Sequence, residues 1–96
     1  MAKYVSLVNW TDQGVKNIKD SAKRVDAARK LAKEMGCEMG DFFMTIGAYD
    51  MVTIVDAPSD EAAAKFMLTL ASGGNVRTTT LKAFSEEDYR KLIGSL

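Results

Sequence analysis

Residues 3–10, KYVSLVNW, place Val5 and Leu7 on one side of an extended chain and Tyr4, Val8 and Trp10 on the other. Both sides are apolar, which predicts a central strand. In the TDQG that follows, Thr11 or Asp12 is a candidate helix N-cap. Apolar residues then recur every three or four positions, at Val15, Ile18, Ala22, Val25, Ala28, Leu31 and Met35, the period of one long amphipathic helix stopped by Gly36. Residues 37–46 and 49–55 read as two strands separated by Gly47-Ala48, a pair that suits a type II′ hairpin turn. That turn would set Ile46 opposite Tyr49 and Thr45 opposite Asp50. Ser59 is placed to cap a second helix with Asp60 and Glu61 in its first turn; Ala62, Ala63, Phe66, Leu70 and Ala71 form its buried side, and Gly73-Gly74 ends it. Asn75–Phe84 has the β-branched density of a fourth strand, and SEED from Ser85 opens a short helix running through Leu92 and Ile93.

This order predicts a single α+β domain over residues 1–96, a ferredoxin-like βαββαβ unit with a C-terminal helix. Right-handed crossovers put both long helices on one face of a four-stranded antiparallel sheet. The first three strands nevertheless carry large apolar residues on both sides, so the second face needs a cover. Four strands of ordinary length present about 400 Å² there, the upper end of what a soluble monomer exposes. A second copy is the simplest cover, which predicts a homodimer or higher assembly of the dimeric α+β barrel type. Ser6, Thr45, Thr53 and one side of the run Thr78-Thr79-Thr80 are expected to line a partly polar barrel interior.

Charge and composition narrow the function. Thirteen basic residues balance thirteen acidic ones, so no global field gathers nucleic acid or an anionic membrane. The third strand, DMVTIV, also lacks the basic and aromatic residues on which RNA bases stack. Cys37 is the sole cysteine, no apolar run is long enough to span a bilayer, and MAKYVSLVNW lacks a signal peptide's continuous apolar core, so the expected location is cytoplasmic. With no histidine in the chain, histidine-ligated haem, the usual zinc sites and Ser-His or Cys-His catalysis are excluded. No metal and no cofactor is expected.

The remaining candidates are few. Asp50 is a conceivable general base beside Tyr49, although a carboxylate next to a hairpin commonly accepts hydrogen bonds from the turn. These two are the only catalytic candidates. Asn9, Trp10 and Thr11 lie at the strand-to-helix junction, and Arg77 near the start of the fourth strand can neutralise an acidic group, so these four are candidate ligand-binding residues. Cys37 and the core-like methionines read as packing.

Three blocks in order, NWTDQGVKNIKD, TIGAYDMVTIVDAPSDEAAAKF and ASGGNVRTTTLKAF, together resemble the GYD-domain proteins. The glycine, tyrosine and aspartate of that name match Gly47, Tyr49 and Asp50. The resemblance spans nearly the whole chain and implies a small dimeric α+β barrel protein, with no activity attached. The expected function is a homo-oligomeric small-molecule-binding or scaffolding barrel. The alternative is a cofactor-independent oxygenase or isomerase with its pocket near Asn9, Trp10, Tyr49 and Asp50, a reading by fold analogy.

Overall fold

The computed structural model describes residues 1–96. Strand β1 (Ala2–Trp10) leads into a short helix α1 (Asp12–Lys16) and a 3-10 turn (Ile18–Asp20), followed by α2 (Ser21–Glu34). Strands β2 (Glu38–Met44) and β3 (Met51–Ala57), helix α3 (Asp60–Ser72), strand β4 (Val76–Ala83) and helix α4 (Glu86–Gly94) complete the chain. The antiparallel sheet has the order β2-β3-β1-β4, the arrangement expected of a βαββαβ unit with right-handed crossovers.

Strand register assigns the faces. Tyr4, Ser6 and Val8 pair with Val55, Thr53 and Met51, and all six are buried. This is the helix-covered face, and its core forms where Phe66 and Met67 of α3 and Ala32 of α2 meet Tyr4, Val55 and Ala57. The alternate residues Val5, Leu7, Val52 and Ile54 face the other way and are only half-buried, with Phe43 and Leu81 exposed beside them. The two-faced character of the central strands is therefore real. Only thirteen of the 96 residues are buried, so much of the apolar surface of this small domain stays wet in one chain.

A register shift between Met39 and Phe42 has a structural purpose. Met39 lies opposite Val55 and Phe42 opposite Thr53, so an odd spacing along β2 still points both side chains to the covered face. Thr53 Oγ1 donates to the Asp41 carbonyl at 2.8 Å and ties the bulge to the neighbouring strand.

Four expectations are corrected. The long first helix is interrupted at Asn17: Arg24 reaches back to donate to the Asn17 carbonyl at 2.9 Å and the Gly14 carbonyl at 3.2 Å, which satisfies the oxygens freed by the break. Val15 and Ile18, assigned to the buried stripe by their spacing, are 56% and 40% exposed. The hairpin keeps the expected register, with Met44 opposite Met51 and Thr45 N–H bonded to the Asp50 carbonyl, but it does not close as a two-residue turn, because Ile46 lies free in solvent. Finally, Ser6, Thr53, Thr78 and Thr80 lie on the helix-covered face, and only Thr79 of the run sits on the open face. The open face is thus more apolar than the hydroxyl pattern implied. Helix α4, initiated by Ser85 accepting from the Asp88 N–H, buries none of its residues and leaves Tyr89, Leu92 and Ile93 at least half exposed.

Candidate functional site

The turn between β2 and β3 is a backbone clamp. Gly47 adopts φ of +144°, a conformation that side chains strongly disfavour. The chain then closes on itself: Thr45 N–H donates to the Asp50 carbonyl at 2.8 Å and the Thr45 hydroxyl to the Tyr49 carbonyl. Asp50 N–H donates to the Val8 carbonyl at 3.0 Å, and its carboxylate Oδ2 accepts from the Trp10 N–H at 3.0 Å. Beyond Val8 and Met51 the β1–β3 pairing has ended, so the Asp50 side chain takes the next donor of β1, which β3 no longer reaches. A half-buried N–H left without this acceptor would cost about 1–3 kcal/mol.

A second clasp holds the junction after β1. Thr11 N–H donates to the Asn75 carbonyl at 3.0 Å, the Thr11 hydroxyl donates to the Gly74 carbonyl, and Thr11 Oγ1 accepts from the Gly14 N–H at 3.1 Å. Gln13 Nε2 adds bonds at 3.1 Å to the Gly73 carbonyl and to Asn75 Oδ1. Gly14 is required because a Cβ there would lie 2.2 Å from the Asn75 carbonyl oxygen. Thr11 therefore joins the two crossover ends and caps a helix of five residues.

Between α2, α3 and the covered sheet face lies a cavity of about 250 Å³. Its floor is Ser6, Val8, Met51 and Thr53; Ala28 and Leu31 of α2 face Phe66 and Leu70 of α3 across it. The floor hydroxyls are already engaged. Ser6 Oγ bonds with Thr80 Oγ1 at 3.1 Å, and Thr53 Oγ1 donates to Asp41. Trp10, Arg24 and Asn75 also line the space. Trp10 Nε1 is the sole buried side-chain nitrogen or oxygen without a hydrogen-bond partner in the molecule, an exception that calls for a missing acceptor.

The structure divides the sequence candidates between the two sides. Trp10 lines the cavity, Thr11 is in the clasp, and Asn9 and Arg77 face each other across β1 and β4 on the open face. Tyr49 and Asp50 meet in the clamp. Arg24 and Asn75 escaped the sequence reading because one lies in an ordinary basic helix surface and the other opens a strand. Spacing alone says nothing of the fold that joins them.

One polar cluster lies at the opposite end of β1. The Tyr4 hydroxyl donates to Asp60, whose carboxylate also meets Lys82 Nζ at 3.0 Å. The hydrogen bond to Asp60, with burial and the nearby negative charge, pushes the Tyr4 phenol up to about 12. The same bond and Lys82 hold the Asp60 carboxyl below the usual carboxylate range. Burial raises the Cys37 thiol above its ordinary value, so this cysteine is a packed, unreactive one. No group of three or more acidic or sulfur side chains is placed to hold a metal ion, and no helix is long and apolar enough to cross a membrane.

Known proteins agree with this architecture. The chain is 30% identical over 89 residues to the glutamine synthetase and cystathionine beta-lyase binding protein of Thermus thermophilus, an alignment covering 92% of this chain and 94% of that protein. The crystal structure of MtbAldR superposes with a TM-score of 0.68 at 17% identity, over 88% of this chain and 52% of that one, so the chain spans about half of that protein and shares its fold. The GYD domain pattern matches residues 4–93. Matched over nearly its whole length by that pattern and by a full-length relative, this chain belongs to the GYD domain family.

Proposed function

We propose that the protein is a homodimeric binding module that docks onto other proteins, its two copies meeting through the open face of the sheet. The observation that carries the reading is the end-to-end similarity to a relative named for binding two enzymes, glutamine synthetase and cystathionine beta-lyase. The open face supplies the self-association. Val5, Leu7, Val52 and Ile54 form a flat apolar centre flanked by exposed Phe43 and Leu81, with the Lys3–Asp56 ion pair of 3.0 Å at one end and Arg77 at the other. Two such faces bury on the order of 800 Å², short of the roughly 1,200 Å² of a stable interface. Helix α4, with Tyr89, Leu92 and Ile93 at least half exposed, carries further apolar surface that a second copy would cover.

The enzyme alternative has weaker support. The Asp50 carboxylate is occupied by a backbone N–H, and Asn9 faces away from Trp10, so the four residues of that proposed pocket do not converge. Light scattering during gel filtration, with the protein mixed separately with glutamine synthetase and cystathionine beta-lyase from its own source, tests the docking reading. Co-migration with either enzyme is expected; separate elution of both at micromolar concentration contradicts it.

A further inference from the structure

We infer that the cavity between α2, α3 and the sheet is a binding site for a small apolar carboxylic acid. The carboxylate lies at the end marked by Trp10, Arg24 and Asn75, and the hydrocarbon part runs towards Leu31, Met39 and Phe66. The inference stands on the cavity alone and does not depend on self-association or on partner enzymes.

Three observations converge on this chemistry. First, the charge inside is one-sided: Arg24 is the sole charged residue among the 20 that line the space, and no carboxylate accompanies it. Its Nη1 and Nη2 each donate to a backbone carbonyl, of Asn17 and Gly14, which fixes the guanidinium in place without neutralising it. Second, unpartnered donors gather at the same end. Trp10 Nε1 is buried without an acceptor, and Asn75 Oδ1 is occupied by Gln13, which leaves its Nδ2 available. Trp10 pairs with Val76, the residue after Asn75, and Gly14, which Arg24 holds, abuts the Asn75 carbonyl, so the three side chains belong to one corner of the fold. Third, the rest of the lining is mainly apolar, and on the sheet floor the Ser6 and Thr53 hydroxyls are already bonded to protein groups, with Thr78 and Ser21 among its further hydroxyls. An anionic end needs the donors of the first corner, and an alkyl or aryl body suits the remainder.

Size follows from the same geometry. From Arg24 to Leu31 along α2 is about 10 Å at helical rise, and a volume of about 250 Å³ holds about ten non-hydrogen atoms at interior packing density. Octanoate fits both limits.

The sole tryptophan of the chain stands at the site, so its emission reports binding. Titration of the full chain with octanoate at neutral pH is expected to change Trp10 fluorescence saturably below millimolar concentration, with 1-octanol roughly ten-fold weaker or more. Arg24→Gln should remove the preference for octanoate while leaving 1-octanol unaffected. Ala28→Phe, which fills the cavity from α2, should abolish binding of both while circular dichroism and melting show a folded chain, and it keeps the test decisive if Arg24→Gln destabilises the Asn17 break. The inference is overturned if no saturable response occurs. It is also overturned if 1-octanol binds as tightly as octanoate, or if Ala28→Phe leaves the affinity intact, which would place the ligand elsewhere, for instance on the open sheet face.

Discussion

Replacing Asp50 by Ala is expected to destabilise the protein without touching any core packing. The substitution removes the 3.0 Å bond from the Trp10 N–H to the carboxylate and supplies no other acceptor. A hydrogen bond to a charged group contributes about 1.5–3 kcal/mol, and a half-buried donor left unpaired costs a similar amount, so a loss near 2 kcal/mol is expected. For a domain of this length, each kcal/mol moves the melting temperature by about 4–8 °C, which predicts a drop of roughly 10 °C. Asp50→Asn keeps an amide oxygen in the same place and should lose about 1 kcal/mol or less. Urea unfolding followed by circular dichroism measures both variants. If Asp50→Ala falls within about 0.5 kcal/mol of the parent, Asp50 is no clamp; if Asp50→Asn is as damaging as Asp50→Ala, the charge matters for a reason other than accepting this bond.

Other consequences can be checked separately. The Tyr4 phenol has a folded pKa of about 12 against an ordinary 10.0, so its contribution is complete below pH 10 and fades as the pH rises towards 12. Asp60, lowered from 3.8, contributes above that value and loses its contribution as the pH falls through its folded pKa. Tyr4→Phe should therefore flatten the alkaline loss of stability between pH 10 and 12 relative to the parent, measured in a Cys37→Ser background, because the raised Cys37 thiol titrates in the same direction. Gly14→Ala drives a Cβ to within 2.2 Å of the Asn75 carbonyl and should cost about 1–3 kcal/mol in denaturant melts. Gly94→Ala, with nothing within 4 Å, should be neutral or slightly stabilising. Truncation after Ala83 removes a helix that buries none of its own residues, so the far-ultraviolet spectrum should lose only that helix while the dimer dissociation constant rises roughly ten-fold or more.

The parts of the fold visible in the sequence were those governed by local periodicity. Alternation in KYVSLVNW and in the MVTIV part of YDMVTIV, the Ser59 and Ser85 caps, and the glycines at 36, 73 and 74 coincide with observed elements or their ends. Periodicity failed where a distant group intervenes. Val15 and Ile18 keep helical spacing yet remain exposed, because Thr11 and Gln13 are tied to Gly73–Asn75 and the chain breaks at Asn17 before α2 begins. The threonines misled for another reason. Their side of the sheet follows from register, and Ser6, Thr53 and Thr80 neighbour one another across three strands on the helix side. Of the candidate site, Trp10 was legible as an aromatic residue at a strand end. Arg24 and Asn75 were not, because what distinguishes them is the absence of a carboxylate nearby and the presence of an unpartnered indole N–H, both facts of three dimensions.

The functional reading depends on the open face being an interface between two copies. Sedimentation equilibrium of the parent chain and of Val52→Lys, a substitution opposite Leu7 in the middle of that face, tests it most directly. Twice the chain mass of 10.5 kDa is expected for the parent and the single-chain mass for Val52→Lys, both folded by circular dichroism. A parent that sediments as a single chain at tens of micromolar, or a Val52→Lys protein that remains dimeric, would contradict it.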